Sequence, residues 1–351
     1  MHCSSIVAAL VHNTRLRNSW LPGLFLAVVL STPAKAQEET QQLAEIQKLL
    51  AADKNDEAIE RLQGLAVRFP QIKGISRDLG IAYYRKKSFL EAATYLKRAR
   101  EEDSSDRDSV QLLGLSYYFS GRPAEAITPL EQVRSWHPKS NMDAVYILGL
   151  CYLLTKNNDK ARRIFSELYD VQPDSAAAHL ILASMLVRQG FDPTAEEEAK
   201  RALSLEPHLP LAHFALGQVY LYKSRIPEAI AEFQKERALN PRFAPAYTRL
   251  GDAYLRAGQY EDAERLLQNS IWLDSTSSEA YVLMGRTLLK KNQVEMAERT
   301  LLRAVTLDSN DYQAHLLLGQ VYRQLGKLNL AQRELKIGAE LQQAQTQNAP
   351  R

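Results

Sequence analysis

The spacing of apolar residues between Ala244 and Ser277 predicts two short amphipathic helices. The first helix carries apolar residues at the i, i+3, i+7 spacing of one helical face: Tyr247, Leu250 and Tyr254. Gly258 interrupts this pattern, and a second apolar face begins at Ala263. A single helical hairpin cannot bury its apolar faces alone, so we expect neighbouring copies of the hairpin to cover them.

The same pattern recurs nine times in one register. The repeats begin at residues 39, 73, 107, 142, 176, 210, 244, 278 and 312, and we number them 1 to 9. The spacing is 34 residues except for one step of 35, whose extra residue falls in the segment 139–141. A loop tolerates such an insertion because its closure entropy rises slowly with length. The sequence therefore predicts an all-α solenoid of helix-turn-helix repeats.

Small residues occupy fixed positions of the repeat. Position 20 is alanine in all nine copies, which lets two helices approach closely. Position 8 is glycine in seven copies: Gly80, Gly114, Gly149, Gly217, Gly251, Gly285 and Gly319. Glycine inside a helix costs about 1 kcal/mol relative to alanine, so we expect these glycines to contact a neighbouring helix. Position 15 is glycine in four copies and Asn292 in a fifth, which predicts a left-handed residue at the end of the first helix.

The register also contains Leu-Gly at positions 7 and 8, Tyr at 11, a large apolar residue at 24 and proline at 32. In repeat 3 these residues are Leu113-Gly114, Tyr117, Ala126 (position 20), Leu130 and Pro138. This pattern resembles the tetratricopeptide repeat (TPR) over residues 39 to about 345. The resemblance implies stacking into a right-handed superhelix. Two copies lack the position-8 glycine and have Ile46 and Ala183 instead, and the last copy has Gln343 in place of the position-32 proline.

Residues 1–36 differ from the repeats. They contain three basic residues and no acidic ones, an apolar run of 11 residues from Trp20 to Leu30, and a small-x-small sequence at Ala34-Lys35-Ala36. This order is typical of a secretory signal peptide. An uncleaved membrane anchor is the alternative, but the run is shorter than the roughly 20 residues that span a bilayer, which favours the signal peptide. We expect a signal peptide at 1–36, nine repeats at 37–345 and a disordered tail at 346–351, in a protein that is periplasmic or secreted.

The charge and the cysteine content give no sign of nucleic-acid binding or of a disulfide. Removal of the leader would leave 41 basic and 41 acidic residues, so nothing in the charge indicates nucleic-acid binding, and no membrane span remains. Only Cys151 then remains, and a single cysteine cannot form an internal disulfide. Its place in a helix next to Gly149 favours burial as a small apolar residue.

Known catalytic motifs are absent from the sequence, so we expect no enzymatic activity, no cofactor and no metal site. Three histidines share position 4 of their repeats: His179, His213 and His315. Because the three histidines occupy the same position in different repeats, we interpret them as half-buried structural side chains. An enzyme whose active site lies between repeats is the alternative to a non-enzymatic protein.

The resemblance to the TPR implies that positions 2, 5, 9, 12 and 13 of the first helices face a ligand in a concave groove. In repeats 2 to 4 these positions form an apolar zone that includes Tyr84, Leu115, Tyr118, Phe119, Tyr146, Leu150 and Leu154. In repeats 7 to 9 they form a basic zone that includes Arg256, Arg286, Lys290 and Arg323. Positions 5 and 9 nowhere pair Lys with Asn, so the carboxylate clamp of some family members is not expected.

We therefore expect an exported scaffold that binds a protein or peptide partner in this groove, with an acidic part of the partner near the basic zone. A role in assembling an envelope or secretion complex rests on analogy with the family. Self-association into a homo-oligomer through the apolar zone is the alternative. Packing of Leu150, Leu153 and Leu154 against adjacent helices would remove them from the groove.

Overall fold

Helices alternate in short hairpins throughout a computed structural model that describes residues 33–136, 142–190 and 193–348. The first hairpins comprise α1 (Pro33–Ala51), α2 (Asn55–Arg68), α3 (Ile75–Arg85), α4 (Phe89–Glu102), α5 (Arg107–Phe119), α6 (Pro123–Trp136), α7 (Met142–Leu154) and α8 (Asn158–Leu168). The later ones comprise α9 (Ala176–Arg188), α10 (Thr194–Leu205), α11 (Ala212–Tyr222), α12 (Ile226–Leu239), α13 (Ala244–Arg256), α14 (Tyr260–Leu273), α15 (Ser278–Lys290), α16 (Val294–Leu307), α17 (Tyr312–Gln324) and α18 (Leu328–Asn348). Each repeat contributes two helices, and the described residues contain no strand. The predicted fold class, an all-α TPR solenoid, is confirmed.

The chain divides into two compact parts, Met1–Ile164 and Phe165–Arg351, and the boundary falls inside α8. In the N-terminal part the first helices of consecutive repeats contact one another, α3 with α5 and α5 with α7. The C-terminal part repeats this arrangement along α9, α11, α13, α15 and α17. In each part the exposed side chains of the first helices therefore share one surface, which we call the first-helix face.

The position-8 glycines have the close contact that the sequence predicts. A Cβ added to Gly251 would lie 2.7 Å from Cγ of Leu267, the residue at position 24 of the same repeat. The equivalent side chain also lies over the glycine in other repeats: Gly80–Leu96, Gly114–Leu130, Gly217–Phe233, Gly285–Leu301 and Gly319–Leu335. The two helices of these hairpins thus approach closely because one of them lacks a side chain at the contact.

The two repeats that lack the position-8 glycine pack positions 8 and 24 differently. Repeat 5 pairs Ala183 with Ala199, and both side chains are fully buried. Repeat 1 places Ile46 opposite Leu62, also buried, so two bulky side chains occupy the same contact. The position-20 alanines are buried as predicted, with no more than 4% of any of them exposed.

Polar contacts join consecutive repeats. The Tyr83 and Tyr254 hydroxyls each accept a hydrogen bond from a glutamine of the preceding repeat, and the Tyr152 hydroxyl donates to Glu131 at 2.7 Å. In the C-terminal part, Glu196 accepts hydrogen bonds from Lys200 and, across the repeat boundary, from Lys223. These bonds to Lys200 and Lys223 lower the pKa of Glu196 to about 2.

The predicted signal peptide and the predicted C-terminal tail both overlap residues that the structure describes as helical. The signal peptide predicted at 1–36 lies mostly outside the described residues, and 33–36 form the first turn of α1. The domain boundaries remain a prediction, and of the tail predicted at 346–351, residues 346–348 belong to α18. Its last residues, Gln345 to Asn348, contain no helix breaker, and the first residue that cannot extend the helix is Pro350. Residues 349–351 lie outside the described part.

Position 15 has a left-handed backbone in all nine repeats. Four of these residues are glycine and one is Asn292, as the sequence predicts. The other four have φ between 57° and 61°: Asp53, Lys87, Lys156 and Ser224. Left-handed backbone costs a residue with a Cβ about 1–2 kcal/mol, so the tight turn is retained at these positions against local preference.

Replacing Lys87 or Ser224 by glycine should raise the free energy of unfolding by about 0.5–1 kcal/mol. The gain is the relief of backbone strain less the extra entropy that glycine has in the unfolded chain. Denaturant unfolding followed by circular dichroism measures it. Gly258→Ala, the reverse change at the same position, should lower stability by about 1 kcal/mol. A lower unfolding midpoint for Ser224→Gly would contradict this interpretation.

Candidate interaction surface

Aromatic rings form a continuous cluster on the first-helix face of the N-terminal part. Tyr84 contacts Phe89 edge-on at 5.6 Å between ring centroids, and Phe89 stacks on Phe119 at 5.0 Å. Tyr118 packs edge-on against Phe119 at 5.3 Å. All four rings are half-buried. The structure thus brings together three predicted site residues, and each ring keeps part of its surface in solvent.

Phe89 also belongs to this cluster, although the repeat pattern does not predict it there. It is the first residue of α4, at position 17 of the repeat, and therefore lies outside the five positions that the TPR resemblance assigns to the groove. Its aromatic character at the start of a second helix was the available signal. An apolar ring there packs across the turn onto the end of the first helix.

Two predicted groove residues belong to the core instead. Leu115 is 3% exposed and Leu150 is 4% exposed, so neither can contact a partner in this structure. Nine of the 13 residues of α7 are buried, Leu150 among them, and a helix that is apolar all round is typically enclosed by its neighbours. Position 9 is thus part of the core in repeats 3 and 4, whereas Ile81 at the same position of repeat 2 is half-buried.

Tyr146 and Leu154 also lie on α7 but keep exposed surface. Tyr146 is half-buried, whereas 46% of Leu154 is exposed, at the last residue of the helix. Of the seven predicted apolar residues, five therefore remain accessible: Tyr84, Tyr118, Phe119, Tyr146 and Leu154. From here on the apolar zone means these five accessible residues together with Phe89, without the buried Leu115 and Leu150.

The four predicted basic residues have different surroundings in the C-terminal part. Arg256 is exposed and donates to both carboxylate oxygens of Asp252, which is only 3% exposed, with the shortest contact at 2.8 Å. Arg286 is half-buried and donates to the Gln313 side chain at 3.2 Å. Lys290 and Arg323 are exposed and form no ion pair within the described residues. Two of the four cations are thus held by the protein, and two face solvent.

The position-4 histidines each pair with a glutamate on the second helix of the same hairpin. Nδ1 of His179, His213 and His315 lies 2.6 Å from a carboxylate oxygen in each case. The partners are Glu198, Glu232 and Glu334, always at position 23. No other repeat has glutamate at that position, so the sequence contained a signal for the pairing. The histidines are confirmed as structural side chains that link the two helices of a hairpin.

His315 also uses its second ring nitrogen. Nε2 lies 3.1 Å from the Ser309 carbonyl oxygen, which can only accept a hydrogen bond. Nδ1 faces the Glu334 carboxyl group at 2.6 Å, so both ring nitrogens have polar partners that fix the orientation of the ring.

Reactive chemistry is scarce in the described residues. Across residues 33–136, 142–190 and 193–348, no group of three or more His, Cys, Asp or Glu side chains is arranged to hold a metal ion. Cys151 is fully buried, and the loss of solvation raises the pKa of its thiol to about 12. Among the described helices, none combines the length and the hydropathy that a bilayer crossing requires.

Sequence profiles of the tetratricopeptide repeat match residues 43–107, 120–185, 214–271 and 282–335. The matches cover more than half of the chain, which therefore belongs to the tetratricopeptide repeat family. The fold commonly serves as a scaffold for protein interactions. Comparison with curated protein sequences finds no match.

Similar solved structures have low sequence identity. The APC/C hetero-tetramer Cut9–Hcn1 matches at 16% identity over 81% of this chain and 56% of that chain, with a TM-score of 0.45. PilF of Pseudomonas aeruginosa matches at 19% identity over 60% and 92% of the two chains, with a TM-score of 0.44. YrrB, a TPR protein with an unusual peptide-binding site, matches at 20% identity over 50% and 90%, with a TM-score of 0.40. This chain spans just over half of the Cut9–Hcn1 chain, and the family assignment rests on the repeat profiles.

Cys151 should not react with a thiol reagent in the native protein at pH 8. A thiol that is buried and has a pKa of about 12 forms almost no thiolate at that pH, and the reagent cannot reach it. The measurement is the absorbance change with Ellman's reagent on protein that starts at Gln37, which lacks Cys3. The same sample in denaturant should release one equivalent. Fast reaction of the native protein would contradict the burial.

Proposed function

We propose that this protein is an exported, non-enzymatic scaffold that binds a protein or peptide partner through the first-helix face. The TPR family supports the scaffold role, and the leader-like residues 1–36 support export. In a bacterium, export would place the protein in the periplasm or at the envelope, where it would help to assemble an envelope or secretion complex.

The apolar zone is the observation that carries this proposal. Monomeric proteins rarely expose a contiguous apolar patch unless it binds something. Here four clustered rings lie half-buried on α3, α4 and α5, and α7, which contacts α5, adds the half-buried Tyr146 and the exposed Leu154. Aromatic side chains lose little conformational entropy on binding and dominate interface energetics, so this surface suits an apolar or aromatic segment of a partner.

The aromatic cluster is ordered by its own ring contacts before any partner arrives. Phe89 from a second helix supports Tyr84 and Phe119 from two first helices. Rings that are already fixed lose less freedom on binding, which strengthens binding for a given contact area. Self-association would use the same surface, and the molecular mass of the purified protein distinguishes it from binding to a different protein.

Tyr118→Ala combined with Leu154→Ser should abolish capture of the partner from an envelope fraction of the source cell. Both side chains keep exposed surface, so their loss removes binding area with little effect on the core. The test is a pull-down with protein that starts at Gln37, after circular dichroism shows that the variant remains helical. Leu150 is left unchanged because its burial makes substitution destabilising.

Val67→Ser combined with Leu90→Ser is the matched control. These side chains are 84% and 57% exposed and lie on second helices of the same part of the chain. The control should capture the same partner as the unmodified protein. Equal capture by all three proteins would show that the apolar zone is not the binding surface. A drop in mass from dimer to monomer in the first variant alone would indicate self-association.

A further inference from the structure

The first and last repeats differ in the polarity of the side that no other repeat covers. Positions 3, 7 and 10 are buried in repeats 2 to 9. In repeat 1 the same positions hold Gln41, Glu45 and Lys48, and all three are exposed. A solenoid needs terminal repeats with polar outer faces to stay soluble. Repeat 1 meets this requirement with its own side chains.

Repeat 9 leaves apolar side chains uncovered instead. In repeats 5 to 8 the second helix is contacted by the first helix of the next repeat, and position 24 is fully buried. No following helix covers α18 among the described residues, and Leu335 at position 24 is only half-buried. Leu328 at position 17 is 66% exposed, whereas Ile226, Tyr260 and Val294 at position 17 of repeats 6 to 8 are half-buried.

The uncovered side of α18 has the spacing of a coiled-coil seam. Its residues follow one another at alternating steps of four and three, the heptad spacing that faces a partner helix. None of them is charged: Leu328, Gln332, Leu335, Ala339, Gln342 and Thr346. In repeats 5, 7 and 8 position 21 is a glutamate that accepts a hydrogen bond from a lysine of the next repeat. The residue at position 21 of repeat 9 is Gln332, so no charge on this seam opposes an apolar partner.

The seam is self-complementary when two copies of α18 lie antiparallel, because its spacing is the same in both directions. A two-fold axis level with Ile337 places Leu335 of each copy opposite Ala339 of the other, so a large side chain meets a small one. The same axis places Gln332 opposite Gln342, and their amides can both donate and accept hydrogen bonds.

The charges beside the seam favour the same arrangement. Lys336 and Glu340 have 76% and 65% of their side chains exposed, and their contact within one helix is long, at 3.8 Å. Antiparallel pairing brings Lys336 of each copy within a helical turn of Glu340 of the other. Parallel pairing would place like charges side by side, and charges that border a seam determine the orientation of the helices.

We propose that two copies of this protein form a dimer through α18, paired antiparallel about a two-fold axis. The second copy covers the seam as a following first helix covers the second helices of repeats 5 to 8. A two-fold contact closes on itself, so assembly stops at two copies. This interface is separate from the apolar zone, and the dimer brings two apolar zones into one assembly.

Sedimentation velocity over a range of concentrations tests the proposal on protein that starts at Gln37. The unmodified protein should be a dimer. Leu328→Lys combined with Ala339→Lys should weaken dimerisation at least about tenfold, because the dimer would bury unpaired ammonium groups. Both residues are exposed, so circular dichroism should show unchanged helicity. The matched control is Met296→Lys with Leu302→Lys on α16, which changes exposed apolar residues of another second helix and should stay dimeric.

A spin label at Thr346→Cys tests the orientation in protein that remains dimeric. Cys151 is buried, so the label attaches to the new cysteine. Position 346 lies nine residues from the axis level on each copy, which gives a separation of about 27 Å along the pair. With about 8–10 Å between helix axes, the dipolar distance should be about 29 Å. A parallel pair would give about 10 Å, which would refute the antiparallel arrangement.

Other results would also overturn the proposal. A monomer at every concentration, or equal dissociation by the two lysine pairs, would show that the seam is a solvated surface. Loss of the dimer in the Tyr118→Ala, Leu154→Ser variant, with the α18 variant still dimeric, would assign self-association to the apolar zone. If the purified protein is monomeric and the α18 variant alone loses a partner from the envelope fraction, the seam binds a different protein.

Discussion

The contact between position 8 and position 24 is the constraint on which each hairpin depends. A glycine on the first helix accepts a leucine or phenylalanine from the second helix so closely that even a Cβ would overlap with it. Each such glycine costs about 1 kcal/mol of helix propensity. The cost is offset because a large side chain is buried at the centre of the hairpin. The contact also determines how closely the two helices approach, and it thereby defines the surface that each repeat offers to its neighbour.

Repeat 5 shows that the pair matters more than either residue. Ala183 adds a methyl group where other repeats have none, and Ala199 compensates by removing the large side chain opposite. Repeat 1 takes the other direction, with Ile46 and Leu62 both bulky. The volumes at this contact are complementary in the glycine-containing hairpins and in repeat 5, and repeat 1 departs from that rule.

The sequence predicted the features that repeat and missed those that depend on neighbours. Nine copies in register were enough to place the glycines, the alanines and the turns, because local chemistry repeats there. The burial of Leu115 and Leu150 depends on adjacent helices, which the position of a residue within one repeat does not reveal. The left-handed backbone at Lys87 contradicts the residue's own preference and is imposed by the hairpin. The contribution of Phe89 to the aromatic cluster depends on contacts with rings of two first helices, which only the three-dimensional structure reveals.

Folding and recognition use different positions of the same repeat. Positions 8, 20 and 24 hold the hairpin together and vary little, whereas positions 12 and 13 change from aromatic to basic along the chain. Position 15 keeps its left-handed backbone although its residue type varies. A constant scaffold can therefore present an apolar surface in its N-terminal part and a positive one in its C-terminal part. The His–Glu pairs lie inside the hairpins and stabilise them without contributing to either surface.

A double-mutant cycle at Ala183 and Ala199, measured by denaturant unfolding, tests whether the side-chain volumes at positions 8 and 24 are coupled. Ala199→Leu alone should destabilise the protein by about 1–3 kcal/mol, because the new side chain meets the Ala183 methyl group. Adding Ala183→Gly should recover most of that loss by restoring the pair that other repeats use, although Ala183→Gly alone costs about 1 kcal/mol. The account predicts a favourable coupling energy of at least about 1 kcal/mol. Additive effects of the two substitutions would contradict it.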